Sequence, residues 1–422
     1  MKSVPEAISE ILGSVRPSGT ERVLLLEAQG RVLTEAVRAR HQVPPLNNSA
    51  MDGFAVRSSD TQGASDLSPK RLRVTQEILA GRLPGGELKP GEAARITTGA
   101  PVPKGADAVV MQENTRSPKD GEVEILRPVS PEENVRFAGE DVEAGKEVLH
   151  PGRVIGPAQI GLLALLGRSV VQVRRRPRVA ILSSGDELVG LDGDTEGWKT
   201  IDSNAYAAAA QVREAGGEPI LLPLAPDNRE ALRQTLETAK GADVLLSTAG
   251  VSVGPHDFVR LALEDLGFRL SFWRVRQRPG SPLAFGLWEG KPVFGLPGNP
   301  VSAAVCFEVY ARPALRKMGG HAQVFRPVVK ATLEGPIKTK PTHTYFLRAL
   351  LERGRAGWIA RPSGLQSSAA VKPLAQGNAL LVVPEGAEPP APGAGVSCIA
   401  LEPEGLELPG EEIAEALGFP RG

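Results

Sequence analysis

The chain has 422 residues, with 49 Lys and Arg against 49 Asp and Glu, so its formal net charge is zero. That length predicts two to four domains at roughly 100–200 residues each, and 41% apolar content beside 47 Gly and 37 Pro describes a folded, loop-rich protein rather than a disordered one. Aromatics at 4% offer no stacking surface for single strands, and zero net charge gives no general attraction to nucleic acid or an anionic membrane, so neither is expected as a partner.

The N-terminus, Met1-Lys2-Ser3-Val4-Pro5-Glu6, carries no apolar core of the kind a secretory leader needs. A helix is predicted over 4–15, followed by an apolar-periodic stretch over 23–37. Residues 45–140 are rich in Gly, Pro and short β-type runs such as 71–75 and 106–111, which predicts a small β or mixed domain. The longest uncharged apolar stretch, 154–167, contains Gly and Pro and falls short of the roughly 20 residues a bilayer requires. A cytoplasmic protein is expected.

Between 174 and 320 the pattern changes. Four apolar β-rich runs at 178–183, 219–224, 243–248 and 291–296 alternate with helix-like segments at 203–215, 228–240, 257–266 and 301–317. Strands alternating with helices predict a doubly wound α/β domain with a parallel sheet covered on both faces. Beyond about 325, short strands at 327–333, 344–351, 379–383 and 396–401 predict a small β-barrel or sandwich. The two cysteines, Cys306 and Cys398, are too few for a disulfide framework or a structural zinc site and read as buried small hydrophobes.

In an open parallel sheet, ligands bind beyond the carboxyl ends of the strands. Here an acid follows three of the four: Asp186-Glu187 after the first, Asp227 after the second, Asp257 after the third. The fourth runs into Gly295-Leu296-Pro297-Gly298-Asn299-Pro300, a glycine-containing turn entering a helix. Taken singly, Asp227 and Asp257 also read as helix N-caps. Together, three acids at one edge repel and raise each other's pKa unless a cation sits among them. Magnesium is commonly held by one or two carboxylates plus substrate phosphate, and helix-start turns offer N–H groups to anions. The pattern therefore predicts a metal-assisted reaction on a phosphorylated ligand.

Gly250-Val251-Ser252-Val253-Gly254 also matches a nucleophile elbow. A serine hydrolase would need a suitably placed acid and histidine, and only His256, His321 and His343 follow Ser252. No Walker loop or histidine metal-ligand spacing is present. Three polar loops stand out elsewhere: Asn47-Asn48-Ser49-Ala50-Met51-Asp52-Gly53, Thr97-Thr98-Gly99 and Arg136 with Gly139-Glu140-Asp141. Each alone also reads as a capped turn or a surface ion pair.

The motifs around Asp52, Thr98-Gly99-Ala100-Pro101, Arg136, Ser184-Gly185-Asp186-Glu187, Asp202-Ser203-Asn204, Gly250 to Asp257 and Gly295 to Ser302 fall in the order found in molybdopterin molybdenumtransferases. Nearly the whole chain resembles this family, the MoeA family, which includes the C-terminal domain of gephyrin. The resemblance implies insertion of molybdate into adenylylated molybdopterin with Mg²⁺ and release of AMP. It also implies a homodimer with its active site in a cleft where subunits meet, supplied by a molybdopterin adenylyltransferase. A scaffolding module that keeps the fold without turnover is the alternative from another class.

The domains implied are a discontinuous N-terminal helical and linking domain (1–44 and 141–173), an inserted β-rich domain (45–140), the α/β molybdopterin-binding domain (174–320) and a C-terminal barrel (321–422). By matching motifs, Asp52, Glu187, Asp227 and Asp257 would hold metal and support transfer. Thr98 and Arg136 would line the cleft, while Ser252, Asn299 and Pro300 would shape the pterin and nucleotide pocket. Arg348 and Ser368 would contact the oxyanion. The family's Met-Lys-Pro-Gly-Lys-Pro stretch reads Gln277-Arg278-Pro279-Gly280-Ser281-Pro282 here. Arg278 keeps one positive charge, and a guanidinium fork binds a tetrahedral oxyanion at least as well as an ammonium. Ser281 removes the second charge.

Overall fold

The computed structural model describes residues 1–195, 197–248 and 258–402. The chain divides into two compact units. One comprises residues 1–34, 154–157 and 170–422, and the other 35–153 and 158–169.

The larger unit contains a six-stranded sheet in the order Glu218–Leu221, Arg178–Leu182, Val244–Ser247, Lys291–Gly295, Ala284–Trp288, Arg269–Trp273. The first four strands, those legible as apolar runs, are mutually parallel. The last two are antiparallel additions, so the sheet is mixed rather than wholly parallel. The sequence hid them because Gly286 and the charged or polar residues Arg269 and Ser271 break the β-type run.

Side-chain alternation along the strands makes the two faces. Val179 and Ile181 point into one core with Phe285, Phe294 and the helices Val4–Ser14, Ser203–Glu214 and Pro300–Cys306. Ala180 and Leu182 point into the other, against Leu232, Leu236, Val259 and Leu263 of helices Arg229–Thr238 and Phe258–Asp265. The rings of Phe272, Phe285 and Phe294 stack along the first core with centroids 5.7 and 5.1 Å apart. Helix Val4–Ser14 starts with a capping box: Ser3 Oγ accepts from the Glu6 N–H, and Glu6 accepts from the Ser3 N–H.

The predicted helix 301–317 is one continuous helical rod with a π turn in its middle, Phe307–Ala311, between Pro300–Cys306 and Arg312–Met318. Pro313 cannot donate a backbone hydrogen bond, and the widened turn precedes it.

The C-terminal strands Val328–Leu333, Thr344–Gly354, Gly357–Pro362, Ala379–Val383 and Gly395–Ala400 close into a five-stranded barrel. Its interior is apolar and holds Cys398. Both thiols are fully buried, and burial pushes the Cys398 thiol up to about 11 and that of Cys306 further still.

The smaller unit is built on a six-stranded sheet, Ala108–Met111, Gly53–Val56, Glu92–Ile96, Lys70–Ile78, Glu122–Ile125, Thr115–Arg116. Val56, Ala93, Val110 and Val123 pack one of its faces, and Ala55, Ala94, Ile96 and Val109 the other.

His321 closes the end of the long helical rod, where its N–H donates to the Arg316 carbonyl at 3.0 Å. The ring is buried, and burial together with Arg316 and Arg312 pushes its pKa from 6.5 down to about 4. An unfolded histidine takes up its proton near 6.5, so this contribution to stability is complete above that pH and is lost as pH falls toward 4. The unfolding free energy from urea titrations is expected to fall between pH 6.5 and 4.5, His321 contributing a slope that approaches about 1.4 kcal/mol per pH unit, and His321→Gln is expected to lessen that fall.

Candidate active site

The carboxyl ends of the four parallel strands form one edge of the central sheet. After Arg178–Leu182 come the buried Ser183 and Ser184, whose chain meets Ala225 in a parallel bridge. The Ser183 and Thr248 hydroxyls bond each other at 2.8 Å, tying the ends of neighbouring strands together. Beyond them Asp186 Oδ1 accepts from the Asp227 N–H at 3.2 Å. Burial, then Asp186 and Glu187, hold the Asp227 carboxyl above its usual range, while the Ser184 hydroxyl donates to it.

The cap of the following helix is not Asp227. Asn228 takes that position, its Oδ1 accepting from the N–H groups of Glu230 and Ala231 at 3.0 and 3.1 Å. Asp227 is thereby left to the sheet edge. Among the described residues no three His, Cys, Asp or Glu side chains are placed to share one metal ion. Asp257 and Ser252 lie outside the described residues. The crowded oxygens of Asp186, Glu187 and Asp227 are nonetheless the hard donor set that magnesium takes, two at a time, beside a substrate phosphate.

Along the same edge, past Lys291–Gly295, a cavity of about 330 Å³ opens between the α/β layer and the barrel. Arg278, Pro279, Ser281, Pro282, Asn299, Arg348 and Ser368, all singled out in the sequence, line it. Pro300 begins the helix just behind Asn299. No carboxylate lines this cavity among the described residues.

Arg348 decides its character. It lies on the barrel strand Thr344–Gly354 and is 1% exposed. One terminal nitrogen donates to the carbonyls of Leu365 and Ser367 at 2.9 and 3.0 Å, while Nε and the other terminal nitrogen are buried without a partner. Gln366 braces the strand, accepting from the Arg348 N–H and donating to its carbonyl, each at 3.0 Å. A buried guanidinium with free N–H groups and no acid beside it is a costly arrangement that an anion relieves. The Ser368 carbonyl accepts from the Val301 N–H at 3.1 Å, joining the barrel loop to the helix start.

Arg278 comes from a neighbouring strand. The short strand Gln277–Arg278 pairs with Thr344 and Tyr345 of the same barrel strand. Gln277 is fully buried; it donates to the Pro279 carbonyl at 2.9 Å and accepts from the Tyr310 hydroxyl. At Gly280, φ is +91° and an added Cβ would sit 2.5 Å from Cys306 Sγ, so only glycine fits there. The Ser281 hydroxyl is spent on the Val275 carbonyl at 2.9 Å.

In the smaller unit, Asp52 Oδ1 accepts from both the N–H and the hydroxyl of Thr98, at 2.6 and 2.9 Å. These two bonds hold its carboxyl below the usual range and keep it anionic. Asp52 lines a polar pocket with Arg95, Thr97 and Gln112. Arg136 lies across from Asn48 on a two-residue strand that pairs with Asn48–Ser49. Its acidic neighbour Glu140 bonds the Phe137 N–H instead, so the motif is not an Arg136–Glu140 ion pair.

Of the three histidines that follow Ser252, His256 lies outside the described residues, and the other two are not built for a serine hydrolase. The His321 Nδ1 is buried without a partner, and the His343 Nδ1 meets the Thr342 hydroxyl at 2.9 Å.

These features sit within three matched family regions. Residues 2–167 match the MoeA N-terminal region (domain I and II), 180–317 a probable molybdopterin binding domain, and 330–401 the MoeA C-terminal region (domain IV). The chain is 40% identical over 373 residues to a molybdopterin molybdenumtransferase of Nostoc, covering 87% of this chain and 85% of that protein. The chain belongs to the molybdopterin molybdenumtransferase family. It is also 38% identical over 394 residues to molybdopterin molybdenumtransferase 2 of Mycobacterium tuberculosis, covering 91% of this chain and 96% of that protein. The crystal structure of the molybdopterin biosynthesis MoeA protein of Pyrococcus horikoshii superposes with a TM-score of 0.80 at 32% identity, over 95% of this chain and 100% of that one. The protein is thus a transferase of molybdenum cofactor biosynthesis. Among the described residues no helix is long and apolar enough to cross a membrane.

The sequence reading missed Lys338 and Tyr345, which also line the cavity, because neither sits in a recognisable motif. The division of labour between neighbours 227 and 228 is directly testable. Asn228→Ala is expected to cost about 1 kcal/mol of stability in urea. Asp227→Asn in metal-free buffer at neutral pH is expected to raise stability, because it removes a crowded negative charge.

Proposed function

We propose that this transferase inserts molybdate into adenylylated molybdopterin, releasing AMP with the help of Mg²⁺, at a cleft completed by a second copy of the chain. The observation that carries the reading is the cavity around Arg348, which no carboxylate lines among the described residues, opening on the same sheet edge as Asp186, Glu187 and Asp227. Opposite charges are thereby sorted along one edge, as a ligand with both an oxyanion and a metal-bound phosphate requires.

Arg348 and Arg278 would hold the molybdate oxygens, with the Ser368 hydroxyl as a neutral donor. Pro279, Pro282 and Asn299 would bound the pocket and exclude water around the pterin. Glu187 and Asp227, together with Asp257, would hold Mg²⁺, which supplies charge neutralisation at the phosphates. Asp52, kept anionic by Thr98, and Arg136 would complete the cleft from the N-terminal region. An adenylyltransferase must supply the substrate, because the P–O bond broken on AMP release has to be made beforehand.

Purified protein incubated with adenylylated molybdopterin, molybdate and Mg²⁺ is expected to release AMP in proportion to molybdate. Asp227→Ala and Asp52→Ala are each expected to lower kcat by about 10²-fold or more. AMP release that is absent in the wild type, or equal in wild type and both variants, refutes the reading. Chelation of Mg²⁺ is expected to stop release and its readdition to restore it.

A further inference from the structure

Three cations line the cavity, and each comes from a different piece of chain. Arg348 lies on a barrel strand and Arg278 on the short strand paired with it. The third, Lys338, comes from the loop that joins strands Val328–Leu333 and Thr344–Gly354. Arg348 is buried and held by two carbonyls.

Lys338 is exposed, and its ammonium has no hydrogen bond or ion pair among the described residues. Some lysines elsewhere in the chain have partners, as when Lys2 meets Glu10, Lys119 meets Glu122 and Lys317 donates to the Leu12 carbonyl, whereas Lys338 is turned to the cavity with none among the described residues. Residue 281, where the family resemblance leads one to expect a second positive charge on the Arg278 loop, is a serine whose hydroxyl is committed to Val275. The loop therefore brings one cation to the cavity, and the barrel brings the rest.

We propose that Lys338 is an oxyanion-binding residue of this cavity and sets its affinity for tetrahedral dianions, supplying from the barrel loop the charge that position 281 lacks. An ammonium on a flexible stem adds attraction without fixed geometry, complementing the rigid fork of Arg348. As an exposed charge it acts through a field that salt screens. The inference rests on the reading that the cavity takes the oxyanion substrate.

Equilibrium dialysis of the full-length protein against molybdate, at low and at physiological salt, tests it without turnover. Lys338→Met is expected to weaken molybdate binding by about tenfold at low salt and to make it less dependent on salt. Lys338→Arg is expected to retain binding within about threefold, because the charge is kept. Lys340→Met, two residues along and outside the cavity lining, is expected to bind as the wild type does, and thermal melting checks that each variant is folded. Wild-type protein that binds no molybdate overturns the functional reading itself. Wild-type binding that is matched by Lys338→Met, or lost equally in Lys340→Met, overturns the role of Lys338 and leaves that reading standing.

Discussion

The larger unit depends on a two-residue pairing. Gln277 and Arg278 run beside Thr344 and Tyr345, joining the α/β layer to the barrel by main-chain hydrogen bonds. The side chain of Gln277 turns inward, where the Tyr310 hydroxyl, the Cys306 thiol and the Pro279 carbonyl saturate it. A buried amide left unsatisfied would be costly, so these partners hold the loop in one conformation. With no room for a side chain at Gly280, the loop has little slack. Arg278 and Arg348 can then face one cavity although 70 positions of sequence separate them.

Charge is distributed on the same plan. Forty-nine acids balance forty-nine bases over the whole chain, yet along one sheet edge they are sorted. Asp186, Glu187 and Asp227 crowd at the end of two strands, and the raised Asp227 pKa records that crowding. Arg278, Lys338 and Arg348 collect beyond a third strand with no acid among the described residues of the lining. Average neutrality gives no general attraction to polyanions and says nothing about such local sorting, which only the fold creates.

Much of this was legible in the sequence, for physical reasons that also mark where legibility stops. The inner strands Arg178–Leu182, Val244–Ser247 and Lys291–Gly295 are nearly continuous apolar runs because both their faces are covered, and the barrel strand Gly395–Ala400 alternates buried with more exposed positions. The antiparallel pair Arg269–Trp273 and Ala284–Trp288 was not visible, since an edge strand carrying Arg269 and Ser271 has no such signature. The acid at 227 could be read as a cap because local sequence does not distinguish it from Asn228, and the hydrogen bonds do. Arg348 could be named from a motif, but that its guanidinium is buried with two nitrogens unpartnered is a product of packing. Lys338 lies in an unremarkable Lys338-Thr339-Lys340 run, and only barrel closure brings one of its two lysines to the cavity.

Closure of the barrel has a further consequence for how copies of this chain can meet. Strands Thr344–Gly354 and Ala379–Val383 pair with each other, so the ring presents no unpaired main-chain row. The central sheet differs. It ends in Glu218–Leu221 and Arg269–Trp273, and the first of these carries Pro219, which has no N–H to offer a further strand. The barrel and the Glu218–Leu221 edge therefore do not invite growth by strand continuation. Association through these elements must be written in side chains, where register is set by shape and charge and a single substitution can revise it.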